Sequence, residues 1–124
     1  MTKAAARSAH AARWFATARG AYGAALLCAP GPLTSAAAGR PASTGVRATA
    51  RVLGARQLLQ AAVTGAGASP AVLALGAATD LVHAASMLGL ALAGRRWRRA
   101  ALLDAVLATA LAAAGAVAAE GGTR

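Results

Sequence analysis

The sequence predicts an all-α protein, a small transmembrane bundle of four helices in one domain. Hydrophobic residues make up 58% of the 124 positions and the mean hydropathy is +0.55, both above the values of ordinary soluble domains. Only 13% of the residues are charged and just three are acidic, too few to keep a globule of this size in solution. The chain is also rich in alanine, whose small side chain buries little area in water but lets helices approach closely in lipid.

We expect three segments along the chain: a basic N-terminal segment 1–13, a helical membrane domain 14–119 and a C-terminal tail 120–124. Basic residues among alanines, followed by Trp14 and Phe15, are typical of a helix that enters or lies on the bilayer interface. The alternative is the basic region of a signal peptide. The break at residues 30–32, proline-glycine-proline, argues against it because it precedes the alanines where cleavage would fall.

The first apolar stretch, residues 14–29, is short for a membrane span. At the rise of an α-helix it covers roughly 24 Å, against a hydrocarbon core of roughly 30 Å. It also contains Arg19. This helix therefore either spans with the help of its neighbours or lies at the interface.

The remaining helices are predicted at 46–64, 70–94 and 100–119. Residues 30–47 are rich in Pro, Gly and Ser and indicate one long connection. Ser43 or Thr44 can cap the second helix, and Ser69-Pro70 is a good opening for the third. Small residues recur at every fourth position and predict a strip for close helix contact: Ala85, Gly89 and Ala93, then Ala108, Ala112 and Ala116.

A basic cluster around a tryptophan separates the third and fourth helices and marks a membrane boundary: Arg95, Arg96, Trp97, Arg98 and Arg99. We expect it to contact anionic lipid headgroups. Three spans would place it on the same side as the N-terminal charges, whereas four spans would place the two on opposite sides. The net charge of +10 could attract nucleic acid, but the arginines lie mainly at the borders of apolar runs, so no nucleic-acid partner is predicted.

Ionisable side chains inside apolar helices are costly in lipid, so we expect them to face one another. Arg56 and Asp80 lie at equal distances from the turn around Ala68 and are the predicted primary pair. Asp104 and Arg51 are the predicted secondary pair. The predicted intramembrane polar cluster consists of Arg51, Arg56, Gln60, Asp80, His83 and Asp104.

Two interpretations of this cluster remain open. It can be a structural clasp that sets helix register, or Asp80 and His83 can form a proton relay or bind a polar ligand. His83 with Met87 could ligate haem or copper, but a single histidine in one span is a weak ligand set. Ser86 has neither an oxyanion donor nor a glycine elbow beside it. No catalytic residue, metal site or cofactor is therefore predicted, and an enzyme is not expected.

The segments RVLGARQLLQ (51–60), DLVHAASM (80–87) and ALLDA (101–105) resemble small bacterial integral membrane proteins with four predicted helices, an uncharacterised group. The resemblance implies a membrane architecture and brings no activity with it. We expect a multi-pass inner-membrane protein that acts as a structural or interaction subunit, with a second copy or another membrane protein as partner. The alternative is a minimal transporter or a proton- or ion-conducting subunit that uses Asp80 and His83.

Overall fold

The computed structural model describes residues 2–67 and 69–121, and the elements in these ranges are all α-helices. The helices are α1 Lys3–Cys28, α2 Pro30–Ala38, α3 Thr44–Gly65, α4 Pro70–Ala93 and α5 Arg98–Gly121. The all-α prediction is confirmed. The predicted turn centre at Ala68 and the last residues of the predicted tail, 122–124, lie outside the described residues.

The described chain has five helices rather than the four that were predicted. The additional one, α2, lies in the segment that was interpreted as a long connection. Pro30 begins it, where no backbone N–H is needed, and Gly39 ends it with a positive φ of 67°. The predicted serine caps are present: the Ser43 hydroxyl accepts a hydrogen bond from the Val46 amide at 3.3 Å, and Ser69 caps α4 in the same way.

Helix α1 begins at Lys3, well before the first apolar stretch, which starts at residue 14. Ala16 lies beside Gly65, the last residue of α3, so the turns of α1 that precede Ala16 extend beyond the end of α3. The predicted basic segment thus belongs to a protruding helical extension. Within it, the Trp14 indole donates a hydrogen bond to His10 Nε2 at 2.8 Å.

Helices α1 and α3 form a close antiparallel pair around two glycines. A Cβ atom placed on Gly23 would lie 2.7 Å from the carbonyl oxygen of Gly54, and one placed on Gly54 would lie 2.7 Å from the carbonyl oxygen of Gly23. Both distances are well inside van der Waals contact. Only glycine at these two positions lets the two backbones approach so closely.

Helices α4 and α5 form the second antiparallel pair, with alanines along its interface. The buried alanines of α4 are seven residues apart, at Ala77, Ala84 and Ala91. The predicted strip on α4 is therefore wrong, because Ala85, Gly89 and Ala93 are exposed; on α5, Ala108 and Ala112 are buried as expected but Ala116 is not. The Arg98 side chain donates a hydrogen bond from Nε to the carbonyl of Ala91 at 3.0 Å and closes the turn between the helices.

The two pairs meet where α1 packs against α5, which gives the spatial order α3, α1, α5, α4. Helices α3 and α4 are not a closely packed pair in the described chain, and the gap between them is called the α3–α4 seam below. Helix α2 packs against α3 and α5 at the end that carries residues 95–99. The protruding start of α1 lies at the opposite end.

Two of the described helices, α4 and α5, are long and apolar enough to cross a membrane. Helices α1 and α3 are also long but carry arginines within their apolar stretches. Large aliphatic side chains are exposed along α4 and α5, among them Leu75, Val82, Leu92, Val106 and Val117.

Candidate functional site

Asp80 of α4 is the centre of a buried polar cluster between the two helix pairs. It is 0% exposed, and both carboxylate oxygens are bonded to arginines. Its Oδ1 accepts a hydrogen bond from Arg56 Nη2 at 2.9 Å, so the predicted primary pair is present. Its Oδ2 accepts a hydrogen bond from Arg19 Nη2, and Arg19 Nη1 lies 3.3 Å from Oδ1. One carboxylate of α4 thus holds arginines from both helices of the other pair.

Arg19 of α1 is the second buried member of this cluster and is 2% exposed. Its Nη1 donates hydrogen bonds to Gln57 Oε1 at 2.8 Å and to Gln60 Oε1 at 2.5 Å. The Phe15 ring lies 4.8 Å from the guanidinium carbon, within reach of a cation–π contact. We call the five polar residues of this cluster the Asp80 clasp: Arg19, Arg56, Gln57, Gln60 and Asp80.

A second polar group, the Asp104 triad, lies one helical turn further along α1 and α4. His83 Nε2 is 2.7 Å from Asp104 Oδ2, and the Tyr22 hydroxyl donates a hydrogen bond to Asp104 Oδ1 at 3.3 Å. A carboxylate accepts but does not donate, so the geometry places the histidine proton on Nε2. His83 and Asp104 are 24% and 21% exposed, in contrast to Asp80.

The predicted secondary pair of Arg51 and Asp104 is wrong. Asp104 binds His83 and Tyr22 instead, and Arg51 is exposed. The cause is helical phase: Arg56 is five positions after Arg51, which turns the two side chains about 140° apart around α3. When Arg56 faces the α3–α4 seam, Arg51 points away from it.

The charges of the clasp and the triad balance when His83 is neutral. Arg19 and Arg56 contribute two positive charges, and Asp80 and Asp104 contribute two negative ones. All of the positive charge comes from the first helix pair and all of the negative charge from the second. Because an uncompensated charge is costly in a low-dielectric interior, this division favours docking of the two pairs.

Two cavities open along the α3–α4 seam, one on each side of the clasp. The smaller, of about 230 Å³, reaches Arg19 and Gln60 near the α3–α4 turn. The larger, of about 800 Å³, reaches all three members of the triad and extends to Arg96 and Trp97. Arg56, which is 26% exposed, bridges the seam between the two cavities.

The predicted basic cluster at 95–99 lies at the turn between α4 and α5, and its last two members, Arg98 and Arg99, begin α5. Two guanidinium groups lie near the Trp97 ring, with the guanidinium carbon of Arg40 at 5.2 Å and that of Arg96 at 5.7 Å from its centre. Arg40 follows the end of α2, so this contact fastens the additional helix to the turn.

Three members of the two polar groups were not among the predicted site residues: Arg19, Tyr22 and Gln57. Arg19 carries the same signal as Arg56, an arginine set in an apolar stretch, but it was interpreted only as a reason to doubt that the first helix spans. Gln57 follows Arg56 directly, and no sequence signal distinguishes it from an exposed amide. Tyr22 lies one turn after Arg19, so it becomes predictable once Arg19 is placed inside.

Among residues 2–67 and 69–121, no group of three or more His, Cys, Asp or Glu side chains is arranged to hold a metal ion. No family model matches the chain, and neither a curated protein nor a solved structure matches it.

Proposed function

We propose that the chain is a multi-pass protein of the bacterial inner membrane that acts as a structural or interaction subunit, with a second copy or another membrane protein as partner. The observation that supports this proposal most directly is that Asp80 is fully buried and fully paired: both of its carboxylate oxygens are bonded to arginines, and its side chain is inaccessible to solvent. Such a clasp holds two helix pairs in one register. The resemblance to small bacterial membrane proteins is part of the same proposal.

The distribution of polarity supports lipid as the medium of this bundle. Two acids and two arginines turn inward, while large aliphatic side chains of α4 and α5 face outward. A soluble protein has the opposite arrangement, because its charged groups remain in water and its apolar groups are buried. In lipid, inward pairing avoids the cost of an exposed charge at mid-depth, about 3 kcal/mol per group.

Membrane extraction tests this proposal. We expect the expressed full-length chain to remain in the pelleted membrane after alkaline carbonate and to be released only by detergent, because apolar contact with lipid survives the loss of charge interactions. The detergent-solubilised protein should be helical by circular dichroism. A chain that carbonate releases, and that is then monomeric and folded in detergent-free buffer, would refute the membrane assignment.

A second candidate function, a proton- or ion-conducting subunit, is supported by the larger cavity. That cavity reaches His83 and Asp104, and the smaller one reaches Arg19 and Gln60 on the other side of the clasp. A histidine paired with a carboxylate in the wall of a cavity is an arrangement that proton pathways use.

Proton flux into vesicles distinguishes conduction from a purely structural role. If the triad conducts protons, vesicles that contain the purified wild-type chain and a pH-sensitive dye should acidify inside under an inside-negative membrane potential. His83→Ala should reduce the rate of acidification to that of protein-free vesicles. Ser86→Ala is the matched control, since Ser86 is exposed on the same helix and its hydroxyl bonds only the Val82 carbonyl. A wild-type rate equal to that of protein-free vesicles would exclude conduction and leave the structural role.

A further inference from the structure

We infer that the larger cavity binds a lipid-soluble molecule with an uncharged hydroxyl-bearing head, a long-chain alcohol or hydroquinone in chemical class, with its head at the Asp104 triad and its tail toward Trp97. This inference deepens the proposed function and rests on its membrane assignment.

The size and lining of the cavity are those of a small-molecule site. Its volume of about 800 Å³ lies within the range of ligand pockets, which are mostly apolar with a few convergent polar groups. Apolar side chains from all five helices form most of its wall, among them Leu26, Leu53, Leu90 and Leu107. Tyr22, His83 and Asp104 line one part of the cavity together, and the other polar side chains in its wall are Thr34, Ser43, Thr49 and Arg96.

The hydrogen bonds of the triad specify the head group. His83 Nε2 lies 2.7 Å from Asp104 Oδ2, and in a neutral ring with its proton on Nε2 the other nitrogen, Nδ1, is an acceptor. Nδ1 has no hydrogen-bond partner within residues 2–67 and 69–121, although the ring lines the cavity. A hydroxyl group is a neutral ligand group that can donate to such a nitrogen.

The charge balance around the triad argues against a charged head. Two arginines and two carboxylates already cancel in the clasp and the triad. An anion next to Asp104 would be repelled, and a cation would leave one net charge in a low-dielectric interior. A neutral head avoids both costs.

The α3–α4 seam provides access from the bilayer. The cavity is lined on one side of this seam by Val46 and Thr49 of α3 and on the other by Met87 of α4. An apolar molecule dissolved in the bilayer can therefore enter sideways without crossing water. From His83 to the end of α4 the helix rises roughly 15 Å, enough depth for an extended alkyl tail.

Quenching of Trp97 fluorescence tests the inference, because Trp97 lines the outer end of the cavity. In a Trp14→Phe background, which removes the other tryptophan, the protein is placed in phosphatidylcholine vesicles and titrated with ω-bromododecanol. We expect saturable quenching. Bromododecane has no hydroxyl group, and ω-bromododecyl phosphate has an anionic head. Both should bind at least fivefold more weakly than ω-bromododecanol, because the loss of one neutral hydrogen bond costs about 1 kcal/mol, which corresponds to that factor.

Variants locate the binding within the cavity. His83→Leu should weaken bromododecanol binding about fivefold to tenfold, and Ala100→Phe, which fills the outer end, should abolish saturable quenching. Ala110→Phe is the matched control, since Ala110 is exposed on the same helix and does not line the cavity; it should leave binding unchanged. If a variant fails to fold, the comparison of bromododecanol, bromododecane and bromododecyl phosphate in the Trp14→Phe protein still tests the inference.

Several results would overturn the inference. Equal binding of bromododecane and bromododecanol would mean that the triad does not recognise a head group, and tighter binding of the phosphate would indicate an anionic-lipid site at Arg96. Unsaturable quenching would indicate simple partition into the bilayer. The extraction experiment is independent of these outcomes. A chain that is inserted in the membrane but does not bind bromododecanol would refute only the proposed ligand. A chain that is folded in plain buffer and still binds bromododecanol would refute only the membrane assignment.

Discussion

Replacement of Asp80 by asparagine is expected to lower the free energy of unfolding by about 3–5 kcal/mol, the usual cost of removing one partner from a buried ion pair. The asparagine side chain has almost the same shape but no charge, so Arg19 and Arg56 would remain without a counter-ion in the clasp. Arg19 would be affected most, since it is only 2% exposed. The measurement is thermal or denaturant unfolding of the detergent-solubilised protein.

Asp104→Asn is the matched control for this prediction. It also removes an acid from a polar group, but Asp104 is 21% exposed and its partners are a histidine and a tyrosine rather than two arginines. We expect a loss of only about 1 kcal/mol, that of an ordinary hydrogen bond. Equal losses for the two variants would contradict the central position of Asp80, and a larger loss for Asp104→Asn would assign the structural role to the triad.

Replacement of Gly23 or Gly54 by alanine is expected to destabilise the α1–α3 pair by about 1–3 kcal/mol, as overpacking of a close interface does. The added Cβ atom would meet a backbone oxygen at 2.7 Å, and a backbone carbonyl cannot rotate away as a side chain can. Separation of the helices would also stretch the bond from Arg19 to Gln57, one turn from each glycine. Unfolding in detergent measures the effect.

Gly89→Ala is the control for the glycine substitutions. A Cβ atom on Gly89 would meet nothing within 4 Å, so only the backbone effect remains. Since alanine favours the helix over glycine by up to about 1 kcal/mol, this variant should be neutral or slightly more stable than the wild type. A gain in stability for Gly23→Ala or Gly54→Ala would show that α1 and α3 are further apart than the structure places them.

The clasp was partly predictable because helix geometry and sequence separation constrain it. Equal spacing from a turn placed Arg56 and Asp80 at one depth, and this ion pair is present. The spacing does not decide which helices become neighbours. The hairpin of α3 and α4 was expected to pack together, but α3 packs on α1 and α4 on α5, so the arginine reaches Asp80 across an open seam.

Arg19 illustrates why the rest of the site escaped prediction. Its cost in an apolar helix was evident, but its partner lies 61 positions away on another helix, and no local rule relates the two. The same holds for the small residues. Many alanine strips are available in so alanine-rich a chain, and on α4 the structure buries Ala77, Ala84 and Ala91 rather than the predicted one.

By itself the sequence determined the all-α class, the bounds of α3, α4 and α5 to within a few residues, and the need of Asp80 for a cationic partner. These features were predictable because apolar periodicity, serine caps and the cost of a buried charge act over short stretches of chain. The tertiary structure alone decided that Arg19 is a partner of Asp80, that Asp104 binds His83 and Tyr22, and that the α3–α4 seam stays open. These outcomes depend on which helix faces pack together, and that choice is made by close backbone approach at Gly23 and Gly54 and by alanine contacts between α4 and α5.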